Sequence, residues 1–159
     1  MRAAAGLLLL ALSLSMTACG PDVDLVKTLQ VDVVSTGWYD LGIVNGQNKL
    51  VPAVSFTFTN HSDQTLGTLQ ANAIFHRVID KEEWGSGFVT VAGSAGLKPG
   101  ATSQTVTVRS QLGYTGSEPR QDMLKNAQFV DAKVEVFAKY GSVQWVKVGE
   151  YAIVRRLIQ

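Results

Sequence analysis

The sequence contains one cysteine, Cys19, so no disulfide can form within the chain. Metal-ligating residues are equally sparse. His61 and His76 are the only histidines, they lie far from Cys19, and no His-x-His or Cys-x-x-Cys spacing occurs, so no metal and no other cofactor is expected. Charge is scarce as well: 14 Lys and Arg stand against 13 Asp and Glu, charged residues make up 17%, and the net charge is +1. That balance argues against a nucleic-acid footprint and against an acidic solvating chain. Four prolines and 15 glycines among 159 residues, with 46% apolar residues, exclude collagen-like and disordered classes. The length suits one ordinary domain rather than two.

The chain's one long apolar run lies at its start. Met1-Arg2 is a short basic opening, and Ala3 to Leu14 is almost unbroken apolar sequence that turns polar at Ser13, Ser15 and Thr17. A bilayer core of about 30 Å needs roughly 20 apolar helical residues, so this run reads as a secretory leader rather than a span. Small residues then precede the lone cysteine in Met16-Thr17-Ala18-Cys19-Gly20. This stretch resembles the lipobox of bacterial lipoproteins, with Met16 where Leu is usual. The resemblance implies acylation of Cys19, cleavage after residue 18 and a membrane anchor. Gly20, rather than Asp, after the cysteine resembles the outer-membrane sorting pattern, which implies a protein facing the periplasm. The expected organisation is a leader over residues 1–18, a short tether over 19–24 and one domain over 25–159. Removing residues 1–18 takes away Arg2 and no acid, which leaves the mature chain formally neutral.

From Leu25 onward the apolar pattern has a period of two, the signature of half-buried strands. Leu29, Val31 and Val33 alternate with polar neighbours, as do Val54, Phe56 and Phe58; the cleanest run is Val130, Ala132, Val134, Val136 and Ala138. Turn residues fall between the runs, at Asn45-Gly46, Asn60 to Asp63, Asp80 to Glu83, Lys98-Pro99-Gly100 and Tyr140-Gly141-Ser142. The spacing predicts an all-β fold: an antiparallel, immunoglobulin-like β-sandwich of about seven strands, with one short helix around Pro119 to Asn126. Val54 to Leu66, Ala73 to His76 and Leu97 to Gly100, with their Asn60-x-Ser62 and Leu-x-Pro-Gly turns, resemble the FxLYD type of immunoglobulin-like domain. His76 stands where that family usually has Asp. The resemblance covers about a third of the chain and implies the sandwich; it carries no catalytic residue.

Catalytic constellations are mostly missing. Ala92-Gly93-Ser94-Ala95-Gly96 resembles the small-residue turn around a hydrolase nucleophile, but strand alternation from Ala101 to Arg109 follows where a helix is needed. The acids Asp80, Glu82 and Glu83 do not have calcium-loop spacing and read as a solvated hairpin tip. Two interaction candidates survive. Trp84 and Phe88 flank Gly85 and Gly87, and Trp38-Tyr39 follows Gly37; such glycines read as a mobile setting for aromatic anchors, although plugging of the sandwich ends is the commoner role of such aromatics. The long connection from Gln111 to Gln128 carries Tyr114 between Gly113 and Gly116, and serves either as a recognition loop or as a plain crossover. Trp145 reads as sheet packing. Trp84, Phe88 and Tyr114 are therefore the candidate partner-binding residues of a non-catalytic, lipid-anchored binding or adaptor module in a bacterial envelope assembly, with a protein partner. An envelope hydrolase acting at the sandwich loops and a purely structural surface lipoprotein are the alternatives.

Overall fold

The computed structural model describes residues 22–79 and 82–159. The leader and Cys19 lie outside them, as do Asp80 and Lys81 of the expected hairpin tip. The element order is α1 (Leu25–Thr28), β1 (Leu29–Val44), β2 (Gln47–Asn60), β3 (Leu69–Arg77), β4 (Glu83–Ala92), β5 (Val106–Arg109), β6 (Tyr114–Gly116), α2 (Arg120–Met123), β7 (Ala132–Lys139), β8 (Val146–Ala152) and β9 (Leu157–Ile158).

Two sheets face each other, with orders β5-β2-β1-β9, to which β6 adds beside β2, and β4-β3-β7-β8. The fold is an all-β sandwich. All pairings are antiparallel except β1 with β9, where Trp38 and Tyr39 align with Leu157 and Ile158. The described strands number nine where about seven were expected, because β6 and β9 have three and two residues and are too short to show alternation. Helix is also split differently: α2 holds only Arg120–Met123 of the expected segment, and α1 forms a single turn before β1. The run read as starting at Val130 enters its strand only at Ala132.

The strands follow from their residues. In β7, Ala132, Val134, Val136 and Ala138 are buried while Lys133, Glu135, Phe137 and Lys139 lie on the other face, as a period of two requires. Asn45 and Gly46 take φ of 52° and 78°, the positive values a tight two-residue hairpin turn needs, and so connect β1 to β2. β2 is buried from Leu50 through Phe56, because it has neighbours on both sides and cover on both faces. On its inner face Leu50, Val54, Phe56 and Phe58 join Ala71, Ala73, Phe75, Val134, Val136 and Ala138 of the opposite sheet in the core. On its outer face Val51 and Ala53 are fully buried without belonging to that core. Arg109 of β5 explains this: its guanidinium carbon lies 3.4 Å from the ring centre of Tyr39 on β1, so the pair arches across the intervening β2.

Pro52 sits inside this central strand, where a missing N–H is normally costly. Here β5 ends opposite Ala53 and β6 begins opposite Leu50, so Pro52 falls in the gap between two neighbours. Its carbonyl accepts the Ser110 N–H at 3.0 Å, which shows that this is the edge the proline turns toward.

Candidate functional site

One end of the sandwich is closed by aromatic side chains. Trp38 is fully buried, and its ring centre lies 4.6 Å from Phe129, 5.6 Å from Tyr114 and 5.8 Å from Trp84. Tyr114 stacks on Phe129 at 4.2 Å and meets Trp84 edge-on at 5.1 Å. Four elements supply these rings. Trp38 comes from β1 beyond the register shift between Val33 and Ser35, Tyr114 from β6 opposite Leu50, Trp84 from the start of β4, and Phe129 from the segment after α2. The Tyr114 hydroxyl accepts the Val130 N–H, and burial pushes its phenol above the ordinary value. Trp38 Nε1 is buried with no hydrogen-bond partner among the described residues.

Outside the rings lies an open depression of about 200 Å³, lined by Tyr114, Thr115, Glu118, Met123, Asn126, Gln128 and Phe129. Its floor is aromatic and thioether; its rim offers a hydroxyl, a carboxylate and two amides. Arg155 braces one side, donating from Nη2 to the Phe129 carbonyl at 2.8 Å and from Nε to Asp131 at 2.6 Å. Phe129 and Met123 are themselves buried, so the accessible lining is more polar than apolar and presents mainly hydrogen-bonding groups beside the half-buried Tyr114 ring.

The structure brings Trp84 and Tyr114 together, both half-buried, but it separates them from Phe88. The three do not form one surface. The reason is a bulge: Phe75 pairs with Gly85 and His76 with Glu83, so Trp84 is an extra residue and turns inward, whereas Phe88, opposite Asn72, stays on the outer face with 60% exposure. Phe88 instead meets Trp145 at 6.1 Å, edge to face. Trp145, expected in sheet packing, lies on that outer face, with Lys139 Nζ 5.2 Å from its ring. The glycines read as a mobile setting are sites of close approach: a Cβ at Gly85 would lie 2.2 Å from Ser110 Oγ, and one at Gly87 2.4 Å from Val108. Phe129 and Met123 were not singled out from sequence; the only signal was an apolar pair, Phe129-Val130, ahead of the strongest strand.

At the other end of the sandwich the chain enters. Val23 donates its N–H to the Tyr140 hydroxyl at 2.6 Å, and Asp22 to Leu25 face Ser142 to Val146 across a depression of about 330 Å³. Along β2, ten residues separate Leu50, opposite Tyr114, from Asn60, opposite Leu29. At about 3.3 Å per residue the aromatic end and the entry end are roughly 30 Å apart. Ser94 lies exposed near the entry end, while His61 Nε2 is engaged with Gln30 at 2.8 Å and His76 Nε2 with Glu135 at 3.0 Å. The described residues include no group of three His, Cys, Asp or Glu able to hold a metal ion, and no helix long and apolar enough to cross a membrane.

No family model matches the chain, and no curated protein matches it. Among solved structures, the X-ray structure of Northeast Structural Genomics Consortium target SoR45 is similar over 81% of this chain and 88% of that one, with 12% identity and a TM-score of 0.45.

Proposed function

We propose that the protein is a lipid-anchored, non-catalytic binding module of a bacterial envelope assembly, held in the outer membrane through acylated Cys19 and receiving a protein partner at its aromatic end, in the periplasm. The observation that carries this reading is the placement of the Tyr114–Phe129 depression at the end of the sandwich remote from chain entry. An anchor at one end leaves the other projecting, and the projecting end is the one that combines aromatic rings with a polar rim. The neutral mature chain fits the same reading, because without long-range attraction affinity must come from local apolar contact and hydrogen bonds.

The test is a photo-crosslinking residue at Thr115, on the rim of the depression, in intact cells, beside the same residue at Lys98 near chain entry. The expected result is a discrete crosslinked partner from position 115 that is absent from position 98 and lost when Cys19→Ala removes the anchor. Equal products from both positions, or an unchanged set with Cys19→Ala, would overturn the proposal.

A further inference from the structure

The outer face of the β4-β3-β7-β8 sheet is divided. Toward the aromatic end it carries a ladder of paired charges, Lys133 with Glu150 at 3.0 Å, Glu150 with Lys147 at 2.6 Å and Lys147 with Glu135 at 2.5 Å, continued by the hydrogen bond between Glu135 and His76 Nε2 at 3.0 Å. Toward the entry end it carries Phe88, 60% exposed, and Trp145, 36% exposed. These two rings come from opposite edges of the sheet, Phe88 from β4 and Trp145 from just before β8, so their contact lays the Trp145 indole across the outer face above the central strands, where Phe137 is half-buried. The charges have partners. The aromatic ridge has no cover among the described residues.

What covers it is set by where the chain enters. Asp22 lines the entry-end depression together with Gln144 and Val146, the two neighbours of Trp145. Only Gly20 and Pro21 separate Asp22 from Cys19, so at 3.8 Å per Cα step the acylated residue can lie no farther than about 11 Å from Asp22. Acyl chains on Cys19 therefore bring the headgroup layer to this end of the sandwich. Tryptophan and phenylalanine with an adjacent lysine suit that layer: the rings sit among glycerol and upper acyl groups while the ammonium of Lys139 reaches phosphate. We infer that the Phe88–Trp145 ridge rests on the phospholipid surface that holds Cys19, fixing the domain with its aromatic depression turned away. This inference depends on Cys19 being the anchor.

The full acylated protein tests it, because thioether formation at Cys19 leaves an introduced cysteine as the sole reactive thiol. A polarity-sensitive fluorophore is placed at Thr90→Cys, an exposed position of β4 two residues from Phe88, and separately at Ala127→Cys, exposed near the depression. On vesicles of phosphatidylethanolamine and phosphatidylglycerol, emission from position 90 should shift to the blue and lose quenching by iodide, with no change at position 127. Replacing both Phe88 and Trp145 by Ser should restore iodide quenching at position 90 while acylation and vesicle binding persist. Acylated, vesicle-bound protein whose position-90 probe stays in water overturns the inference alone. Shielding that rises with protein concentration at fixed lipid assigns the ridge to a second copy of the chain and also overturns it. An intact mass showing unmodified Cys19 overturns the anchor reading and this inference together.

Discussion

The two ends of the sandwich each bury one polar side chain completely, and they treat it in opposite ways. At the entry end Asn60 donates from Nδ2 to the carbonyls of Gln64 and Leu97 at 2.8 and 2.9 Å, and its Oδ1 accepts from the Ser62 N–H and hydroxyl at 2.9 and 2.7 Å. Every lone pair and proton of that amide has a use. At the aromatic end Trp38 is just as buried, yet its indole N–H has no hydrogen-bond partner among the described residues. A saturated amide tying two loops together is a clamp that fixes local structure. An indole whose donor is unused contributes through its area and leaves the donor's desolvation uncompensated.

This contrast can be broken by substitution. The largest effect is expected for Asn60→Ala, which removes all four hydrogen bonds of the buried amide; at roughly 1 kcal/mol each, and with the Leu97 and Gln64 carbonyls keeping the Leu66 N–H and the Ser62 hydroxyl, a loss of about 3 kcal/mol in denaturant unfolding follows. Trp38→Phe should cost about half as much, roughly 1.5 kcal/mol, because the lost volume is partly offset by removing an unpaired donor. A Trp38→Phe cost matching that of Asn60→Ala would show that the indole N–H is satisfied after all. Smaller again is Arg109→Ala, which removes the arch over β2 and uncovers Val51 and Ala53; about 1 kcal/mol is expected, measured by the same unfolding experiment.

The smallest effect lies on the charged ladder. Hydrogen bonds from Lys147 and then Lys133 hold the Glu150 carboxyl down to about 2 from its ordinary 4.5. Its folded value lies below its unfolded one, so the contribution is complete above pH 4.5 and fades as pH falls toward 2. Glu150→Gln should flatten that part of the stability profile and change little at neutral pH, since exposed ion pairs are weak and screened.

The sequence is legible where one rule governs a segment. β7 shows its burial directly, the Asn45-Gly46 turn states its own geometry, and the Asn60-x-Ser62 turn was visible as a turn, although its role as a buried clamp was not. Legibility fails where pairing overrides spacing. Trp84 and Phe88, four apart, share a face in any regular strand, and only the offset imposed by β3 turns Trp84 inward. Val33 and Val34 are apolar yet 37% and 59% exposed, at the shift that redirects Trp38 into the core. Gly85 and Gly87 looked mobile because nothing local reveals that β5 and the residues just after it will press against them. For the candidate site, Tyr114 and Trp84 were readable as aromatics in unusual settings. Phe129 was not, because its partner lies in a strand of three residues that only the edge of β2 creates.

The pairings also set the order in which the molecule can assemble. β1 and β2 are joined by a two-residue turn, so their long hairpin closes by local zipping, on a timescale of about 1–10 μs. The centre of the other sheet aligns Ala73 with Val136, roughly sixty residues apart, and that closure costs chain entropy before any contact there repays it. The hairpin is thus expected to form ahead of the second sheet, with the docking of β7 onto β3 as the slower step.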